Sequence, residues 1–139
     1  MGRILAVDYG NKRIGLAVTD PLKIIATGLT TVHSKDIWDF LSSYFMREKV
    51  DAVVVGFPKH LDNTATDATP HVVGFVNKLK KLYPSLEVHT LDERYTSKMA
   101  VQSMVESGMK KKNRQNKELI DEISATIILQ NYMSLISKK

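Results

Sequence analysis

Two short apolar runs open the chain, and a turn-forming stretch separates them. The runs are residues 3–9 (RILAVDY) and 13–20 (RIGLAVTD), and residues 10–12 (GNK) lie between them. Strands this close in sequence pair antiparallel, because a parallel pair needs a long crossover. Residues 24–32 are rich in β-branched side chains and predict a third antiparallel strand.

The middle of the chain predicts a helix, a buried strand and a second helix. Ser34 is a suitable N-cap, and apolar residues recur after it at helical spacing: Ile37, Phe40, Leu41, Tyr44 and Phe45. The continuous apolar run 52–55 is typical of a central strand covered on both faces. Residues 59–70 are polar and predict a loop. The helix after that loop carries one apolar face: Val72, Val76, Leu79 and Tyr83.

The rest of the chain continues this alternation. Residues 86–91 predict a strand, Thr96 can cap a helix that ends at Gly108, and the last helix runs from about Glu118 to Ile136. Residues 110–117 between these helices form a basic loop. The predicted order is β-β-β-α-β-α-β-α-α. It describes an α/β fold with a mixed five-stranded sheet, three antiparallel strands followed by parallel strands, and helices on both faces.

The composition is that of one ordinary globular domain. With 139 residues, of which 43% are hydrophobic and 25% charged, the chain is predicted to form a single domain over residues 1–139. It has no cysteine, which excludes disulfides, thiolate metal sites and thiol catalysis. The opening MGRILAVDYG is too short and polar for a signal peptide or membrane span, so we expect a cytoplasmic protein without membrane association. The formal charge of +5 favours polyanionic partners such as DNA or RNA.

Three carboxylates lie where this topology brings distant segments together. Asp8 ends the first strand, Glu93 follows a later strand, and Asp121 lies in the first turns of the last helix. The carboxyl ends of parallel strands share one edge of a sheet, and sites form there. Carboxylate oxygens suit Mg²⁺, and two such ions can hold the attacking water and the departing oxygen of a phosphodiester. The sequence therefore predicts a Mg²⁺ site, with Mn²⁺ as a substitute, that cuts a nucleic-acid backbone.

The pattern of the last helix supports a role for Asp121. Its predicted apolar stripe consists of Ile120, Ile123, Ile127 and Leu135, with Ala125, Ile128 and Tyr132 beside it. Asp121 precedes Ala125 by one turn and so ends a core-facing row, where an unpaired carboxylate is costly. Glu122 is turned about 100° away along the helix and is predicted to be solvated.

Each carboxylate also has an ordinary structural explanation. Asp8 could cap the hairpin turn, and Glu93 could pair with Arg94 at the surface. Asp121 could be an early-helix acid that the helix macrodipole favours. The lysines at 110–112 could belong to a solvated loop. No single residue decides between these explanations and a metal site.

Four segments together resemble one known family. They are residues 8–20 (DYGNKRIGLAVTD), 55–58 (VGFP), 92–100 (DERYTSKMA) and 121–130, which begins DEISA and ends ILQ. In this order, and over nearly the whole chain, they resemble the YqgF family. Its members are described as Holliday junction resolvases and as pre-16S ribosomal RNA nucleases. The resemblance implies an RNase H-like fold related to that of the RuvC resolvases.

The resemblance also implies roles for individual residues. Asp8, Glu93 and Asp121 match the acidic positions expected to bind metal and carry catalysis. The implied substrate is precursor 16S ribosomal RNA, in ribosome biogenesis, or branched DNA. A resolvase that acts on a symmetric junction is expected to form a homodimer. The chain departs from the family pattern at positions that leave the carboxylates intact: Asn63, Ser97 and Ser124.

Basic residues and glycines surround the acidic edge. The basic residues predicted to contact phosphates are Lys12, Arg13, Arg94, Lys110, Lys111, Lys112 and Arg114. Gly10 fits a tight turn beside the site. Gly15, inside a strand, indicates either a close backbone approach or a strand kink or bulge. Of the histidines, only His60 lies in a loop that could reach the site.

Two other functions are compatible with these residues. An Asp-x-Gly sequence at a strand end also opens the phosphate-binding hairpin of actin-like ATPases. Those enzymes clasp a nucleotide between two such units, and this chain has room for one; tight ATP binding would favour that function. The other alternative is a non-catalytic nucleic-acid-binding or ribosome-assembly module with a vestigial site. Binding without metal-dependent cleavage would favour this module.

Overall fold

One mixed sheet runs through the molecule. In the computed structural model, which describes residues 2–10, 12–58, 69–93 and 117–137, its strands are β1 (Arg3–Tyr9), β2 (Arg13–Thr19), β3 (Ala26–His33), β4 (Val50–Pro58) and β5 (Glu87–Glu93). Their order across the sheet is β3-β2-β1-β4-β5. The β1–β2 and β2–β3 pairs are antiparallel, and the β1–β4 and β4–β5 pairs are parallel. The predicted arrangement of antiparallel strands followed by parallel strands is confirmed.

Helices cover both faces of this sheet. After a short 3-10 turn (Ser34–Asp36), the helices are α1 (Ile37–Arg47), α2 (Thr69–Leu82) and α3 (Lys117–Ser137). α1 and α2 pack on one face and α3 packs on the other, as predicted. In the ranges that the structure describes, no helix is long and apolar enough to cross a membrane. The predicted helix from Thr96 to Gly108, most of the loop 59–70 and most of the basic loop 110–117 lie outside the described residues.

Large side chains fill the core on the α1 and α2 face. Strand residues alternate between the faces of a sheet, and Leu5 and Val7 of β1 join this core, where they are fully buried. Leu41 of α1 and Leu79 of α2 pack against them and are equally buried. The apolar faces predicted for both helices are therefore confirmed at these positions. α2 stops at Leu82, one residue before the last position of its predicted apolar face, Tyr83.

Small side chains fill much of the core beneath α3. Ala6 of β1, Ala17 of β2 and Ala125 of α3 are fully buried there, together with Ile128 and Leu129 of α3. Because interiors are close-packed, small facing side chains let a helix lie close to a sheet. This packing sets the position of the first turns of α3 relative to the strands.

The start of α1 differs from the prediction. Ser34 is the first residue of the 3-10 turn and does not cap α1. The cap of that turn is His33, whose Nδ1 accepts a hydrogen bond from the Lys35 N–H at 3.2 Å. Asp36 occupies the N-cap position of α1 and makes no capping hydrogen bond with its side chain. An imidazole nitrogen thus takes the capping role that the sequence pattern assigned to a hydroxyl group.

The turn between β2 and β3 shortens both strands relative to the prediction. Asp20 lies just beyond the end of β2, and its carboxylate accepts hydrogen bonds from three backbone N–H groups, those of Leu22 (3.1 Å), Ile24 (2.8 Å) and Ile25 (2.7 Å). The hydrogen bond from Ile25 is the largest of the causes that lower the pKa of Asp20. Because this turn takes up the N–H groups of Ile24 and Ile25, β3 begins after them rather than at residue 24.

Candidate active site at the carboxyl edge of the sheet

Asp8 lies one residue before the carboxyl end of β1, between two glycines. Its antiparallel partner is Gly15 of β2, and its parallel partner is Gly56 of β4. Ala6 belongs to the core beneath α3, so strand alternation directs Asp8 to the same face. Because neither partner has a side chain, the half-buried Asp8 side chain is flanked by backbone within its row of the sheet.

At Gly15 the backbone of α3 lies directly against β2. A Cβ atom at this position would overlap the backbone carbonyl group of Asp121. Because Gly15 is also the register partner of Asp8, this contact brings the first turns of α3 beside Asp8. Of the two explanations offered for a glycine here, the close backbone approach is confirmed. The β2–β3 pairing also shifts register nearby, between Leu16 and Ala17.

A strand residue holds the Asp121 carboxylate. Arg13 Nε donates a hydrogen bond to Asp121 Oδ2 at 2.8 Å, and the two side chains are 36% and 20% exposed, respectively. Arg13 and Gly15 have the same parity in β2, so they lie on one face of the sheet. The backbone and the side chain of Asp121 therefore both contact β2. The carboxylate at the end of this helical row has a charged partner, as its position requires.

Glu93 is the last residue of β5, at the same edge of the sheet. The register runs from Asp8 to Gly56 and from Gly56 to Leu91, and Glu93 pairs with Pro58. Glu93 therefore lies on the second strand from β1, just past the row that contains Asp8. For Glu93 the structure describes the backbone alone. Its role as a metal ligand stays a prediction.

The buried face of α3 differs from the predicted apolar stripe. The fully buried residues are Ser124, Ala125, Ile128 and Leu129. The predicted stripe residues Ile120, Ile123 and Ile127 are half-buried, and Leu135 is 50% exposed. The stripe was wrong because apolar residues surround this helix, so periodicity alone does not select one face. The small side chains of Ser124 and Ala125 select it, since they permit the close contact with β2.

Glu122 is not solvated, contrary to the prediction. It is half-buried, and a Cβ atom at Gly28 of β3 would lie 2.6 Å from its Oε1 atom. The glycine thus makes room for the acidic side chain above β3. Asp121 contacts β2 beside Asp8, whereas Glu122 lies over the outermost strand on that side. The two adjacent acids therefore occupy different environments, as their helical phase predicts.

The structure describes two of the basic residues predicted to contact phosphates. Lys12 is exposed in the β1–β2 turn, and its carbonyl oxygen accepts a hydrogen bond from the Ser34 N–H at 2.9 Å. Arg13 pairs with Asp121. A Cβ atom at Gly10 would lie 2.5 Å from the Arg13 carbonyl oxygen, so the predicted tight turn is confirmed. The remaining candidates lie outside the described residues: His60, Arg94, Lys110, Lys111, Lys112 and Arg114.

The donor atoms at this edge suit a hard divalent cation. Asp8 and Asp121 contribute oxygen donors from two elements that meet at Gly15, and the glycines beside Asp8 add no bulk. Mg²⁺ prefers oxygen ligands and keeps several waters, so carboxylate oxygens are chemically suited to it. Among the side chains that the structure describes, no group of three His, Asp or Glu could hold a metal ion.

The strand order and the acidic carboxyl edge define a protein of the RNase H-like class. The fowlpox virus resolvase, solved with substrate Holliday junction DNA, aligns with a TM-score of 0.61 at 16% identity, over 96% of this chain and 98% of that one. RuvC from Thermus thermophilus, in complex with a Holliday junction substrate, aligns with a TM-score of 0.55 at 16% identity, over 98% of this chain and 96% of that one. At these identities the likeness shows the fold.

The family follows from closer sequence matches. The family model described as RuvX, Holliday junction resolvase, matches residues 2–135, so the chain belongs to the RuvX family, which is the YqgF family that its motifs resemble. A Christiangramia forsetii protein named "Putative pre-16S rRNA nuclease" is 53% identical over 133 residues, covering 96% of this chain and 98% of that protein. A Bacteroides thetaiotaomicron protein of the same name is 50% identical over 133 residues, covering 96% of each. By its family, the chain is a hydrolase that acts on nucleic acid.

Proposed function

We propose that this chain is a divalent-metal-dependent endonuclease that processes the 5′ end of precursor 16S ribosomal RNA. Two relatives, 53% and 50% identical over nearly their whole length, carry that RNA in their names. The observation that carries the proposal is the arrangement at Gly15, which pairs with Asp8 in the sheet and lies against the backbone of Asp121 in α3. The reaction belongs to ribosome biogenesis in the cytoplasm and is carried out by a single domain over residues 1–139.

Asp8, Glu93 and Asp121 are the proposed ligands of Mg²⁺, with Mn²⁺ as a substitute. When bound, the metal would supply an activated water and neutralise the charge that develops on the departing oxygen. Asp8 offers its carboxylate from a central strand, which holds it rigidly. Asp121 offers its carboxylate from a helix that contacts the same strand pair. In the net reaction the water oxygen bonds to phosphorus, and one P–O ester bond breaks.

Basic residues around the acids are proposed to bind the flanking phosphates. Lys12 is exposed in the turn that follows Asp8. Arg94 and the basic loop, with Lys110, Lys111, Lys112 and Arg114, are assigned the same task from the sequence. The net charge of +5 supports this assignment, because phosphate contacts supply most of the non-specific affinity for nucleic acid.

Branched DNA is the second candidate substrate. The description of the family, Holliday junction resolvase, favours it. A four-way junction offers two symmetry-related positions for cleavage, so this function predicts a homodimer with twofold symmetry. Trimming of one RNA end sets no such requirement. The mass of the protein in solution therefore helps to separate the two candidates.

A cleavage panel tests the proposal directly. The purified protein is given Mg²⁺ or Mn²⁺ with a precursor 16S ribosomal RNA fragment, a four-way DNA junction, duplex DNA or single-stranded RNA. We expect the precursor fragment to be cut fastest. Faster cutting of the junction by a dimer would favour the second candidate. Binding without cleavage of any substrate would overturn the proposal and favour the non-catalytic module.

The substitution Asp8→Asn tests the site. It removes an anionic ligand at nearly constant shape, so we expect an intact fold and cleavage reduced about 100-fold or more, the order seen when a group that stabilises transition-state charge is lost. Its melting temperature in metal-free buffer should equal or exceed that of the wild type, because clustered carboxylates repel one another. An Asp8→Asn protein that cuts at the wild-type rate would show that the proposed metal site is wrong.

A matched pair of variants tests the assignment on α3. Asp121→Asn should abolish metal-dependent cleavage and leave nucleic-acid affinity nearly unchanged, because affinity depends on the basic residues. Glu122→Gln, one residue further along, should leave cleavage unchanged, because Glu122 lies over β3. If Glu122→Gln were the inactive variant, the third ligand would have to be reassigned.

A further inference from the structure

Arg13 makes a contact that its predicted phosphate-binding role does not explain. Its Nε atom donates to Asp121 Oδ2 at 2.8 Å. We propose that Arg13 is a positioning residue, which orients the Asp121 carboxylate for metal binding and competes with the metal for its negative charge. The inference rests on the proposed function, because it takes Asp121 to be a metal ligand.

Two contacts on one strand fix Asp121. Its backbone lies against Gly15, which fixes the helix at this point but does not by itself set the direction of the carboxylate. The hydrogen bond from Arg13 sets that direction. Arg has a planar, rigid guanidinium group, so it fixes the orientation of a carboxylate better than the point charge of Lys. Both contacts come from residues on the face of β2 that adjoins Asp8.

The exposure of the pair argues against a mainly structural role. Arg13 and Asp121 are 36% and 20% exposed, and ion pairs exposed to this degree contribute little to stability. A similar pair at the opposite edge provides a comparison: Lys23 Nζ lies 2.8 Å from Asp51 Oδ2, with side chains 30% and 34% exposed. Lys23 and Asp51 are far from Gly15 in the sheet, since Asp51 lies at the start of β4. Lys23→Gln is therefore a matched control.

The proposal predicts that removing Arg13 strengthens metal binding and yet slows cleavage. The positive charge of Arg13 opposes the binding of a divalent cation at Asp121, so its removal should strengthen metal binding. Its removal also takes away a hydrogen bond that orients the carboxylate, so cleavage at saturating metal should become slower. A variant that merely loosened the fold would weaken binding and slow cleavage together.

Calorimetric titration of the full-length protein with Mn²⁺, without nucleic acid, provides a readout that does not depend on activity. For Arg13→Gln we expect the Kd for Mn²⁺ to fall roughly fivefold, the order for removing one unit charge near a divalent cation in a partly solvated site. Arg13→Lys keeps the charge, so its Kd should stay near the wild-type value. Lys23→Gln should also leave the Kd unchanged, and Asp8→Asn gives the background binding outside the site.

Cleavage and nucleic-acid binding complete the test. At saturating Mn²⁺, both Arg13 variants should cut about tenfold more slowly, because neither keeps the planar contact with Asp121. The salt dependence of duplex DNA binding, measured in metal-free buffer, should match the wild type for Arg13→Gln. Together, tighter Mn²⁺ binding, slower cleavage and an unchanged salt slope would support the proposal.

Other results would overturn it. An unchanged Kd for Mn²⁺ with a salt slope lowered by about 0.9 would identify Arg13 as a phosphate ligand. Weaker Mn²⁺ binding by Arg13→Gln would show that Arg13 does not compete with the metal. Full activity of Arg13→Lys would show that Arg13 is not needed to position Asp121. If the wild-type protein bound no Mn²⁺ above the Asp8→Asn background, the proposed metal site would fail, and the inference with it. Failure of the inference alone leaves wild-type binding in place.

Discussion

A methyl group at Gly15 tests whether the contact between α3 and β2 builds the site. A Cβ atom there would overlap the carbonyl oxygen of Asp121, well inside the distance of any non-bonded contact. Non-bonded heavy atoms attract each other best at roughly 3.5 Å, and even a tight contact needs about 3 Å. In Gly15→Ala the helix must therefore retreat from the strand by about 1 Å or more at Asp121. The overlap involves backbone atoms, so no side-chain rotation relieves it.

This displacement should affect both stability and activity. Overpacking of a filled interior costs about 1–3 kcal/mol, so we expect Gly15→Ala to lose roughly 2 kcal/mol in urea unfolding. A misplacement of about 1 Å at a catalytic group lowers the rate by roughly 100-fold. Cleavage by Gly15→Ala at saturating Mg²⁺ should therefore fall by about that factor. Urea titration by circular dichroism and a single-turnover cleavage assay measure the two effects separately.

The same substitution at two other glycines supplies the controls. A Cβ atom at Gly74, exposed in α2, would meet nothing within 4 Å among the described residues. Gly74→Ala should therefore raise stability by about 0.5–1 kcal/mol through helix propensity and leave cleavage unchanged. At Gly28 the clashing atoms belong to the flexible side chain of Glu122, so Gly28→Ala should cost less than Gly15→Ala. If Gly15→Ala proved as stable and active as Gly74→Ala, the reasoning about α3 would be refuted.

Three further predictions follow from other parts of the molecule. The first replaces four residues of the basic loop with Ser: Lys110, Lys111, Lys112 and Arg114. Each lost phosphate contact should lower the slope of log K against log salt by about 0.9 on duplex DNA and about 0.7 on single strands. An unaltered slope would mean that these residues face away from the substrate. Asp20→Asn should destabilise the protein at neutral pH. Since the folded-state pKa of Asp20 is lowered, its contribution is present above the unfolded pKa and disappears as pH falls through the folded value. The urea midpoints of variant and wild type should therefore begin to converge below about pH 4 and coincide only below the folded-state pKa. Ser124→Ala should gain about 1 kcal/mol at unchanged cleavage, because the buried Ser124 Oγ has no hydrogen-bond partner among the described residues, and a loss of stability would show that it has one.

The sheet was predictable because its signals are local. The few residues between the first two apolar runs permit only an antiparallel hairpin, which is the observed β1–β2 pair. The unbroken apolar run in residues 52–55 indicates burial on both faces, and β4 is indeed central, between β1 and β5. Strand ends were less predictable. The Asp20 carboxylate accepts hydrogen bonds from the N–H groups of Ile24 and Ile25, so these groups do not pair within the sheet. The hydrophobic pattern alone would include both residues in the strand.

The acidic residues of the candidate site could be proposed from the sequence, whereas the residues that contact them could not. Asp8 could be selected because it ends the first strand, and Asp121 because a carboxylate on a core-facing row needs a partner. The partner itself, Arg13, is 108 residues away from Asp121 in sequence, and no local pattern indicates such a contact. The face that α3 buries was predicted at Ala125 and Ile128 and missed at Ser124 and Leu129. Apolar residues occur all around the helix, and the choice of face depends on the size of the residues that oppose it.

The small size of the residues between β2 and α3 therefore determines where the site forms, and the charged residues act within it. Gly15 and Ala17 of β2 face Ala125 of α3, and these small residues let the helix backbone reach the strand. The approach brings the Asp121 backbone against Gly15, the strand partner of Asp8, and two carboxylates held in one site repel each other unless a cation balances their charges. Arg13 supplies one positive charge to Asp121, and the proposed metal would supply more. Packing supports both the fold and the site, whereas the charges support the site alone. Isosteric changes that remove the charge of Asp8 or Asp121 should accordingly reduce activity and preserve stability, and a methyl group at Gly15 should reduce both.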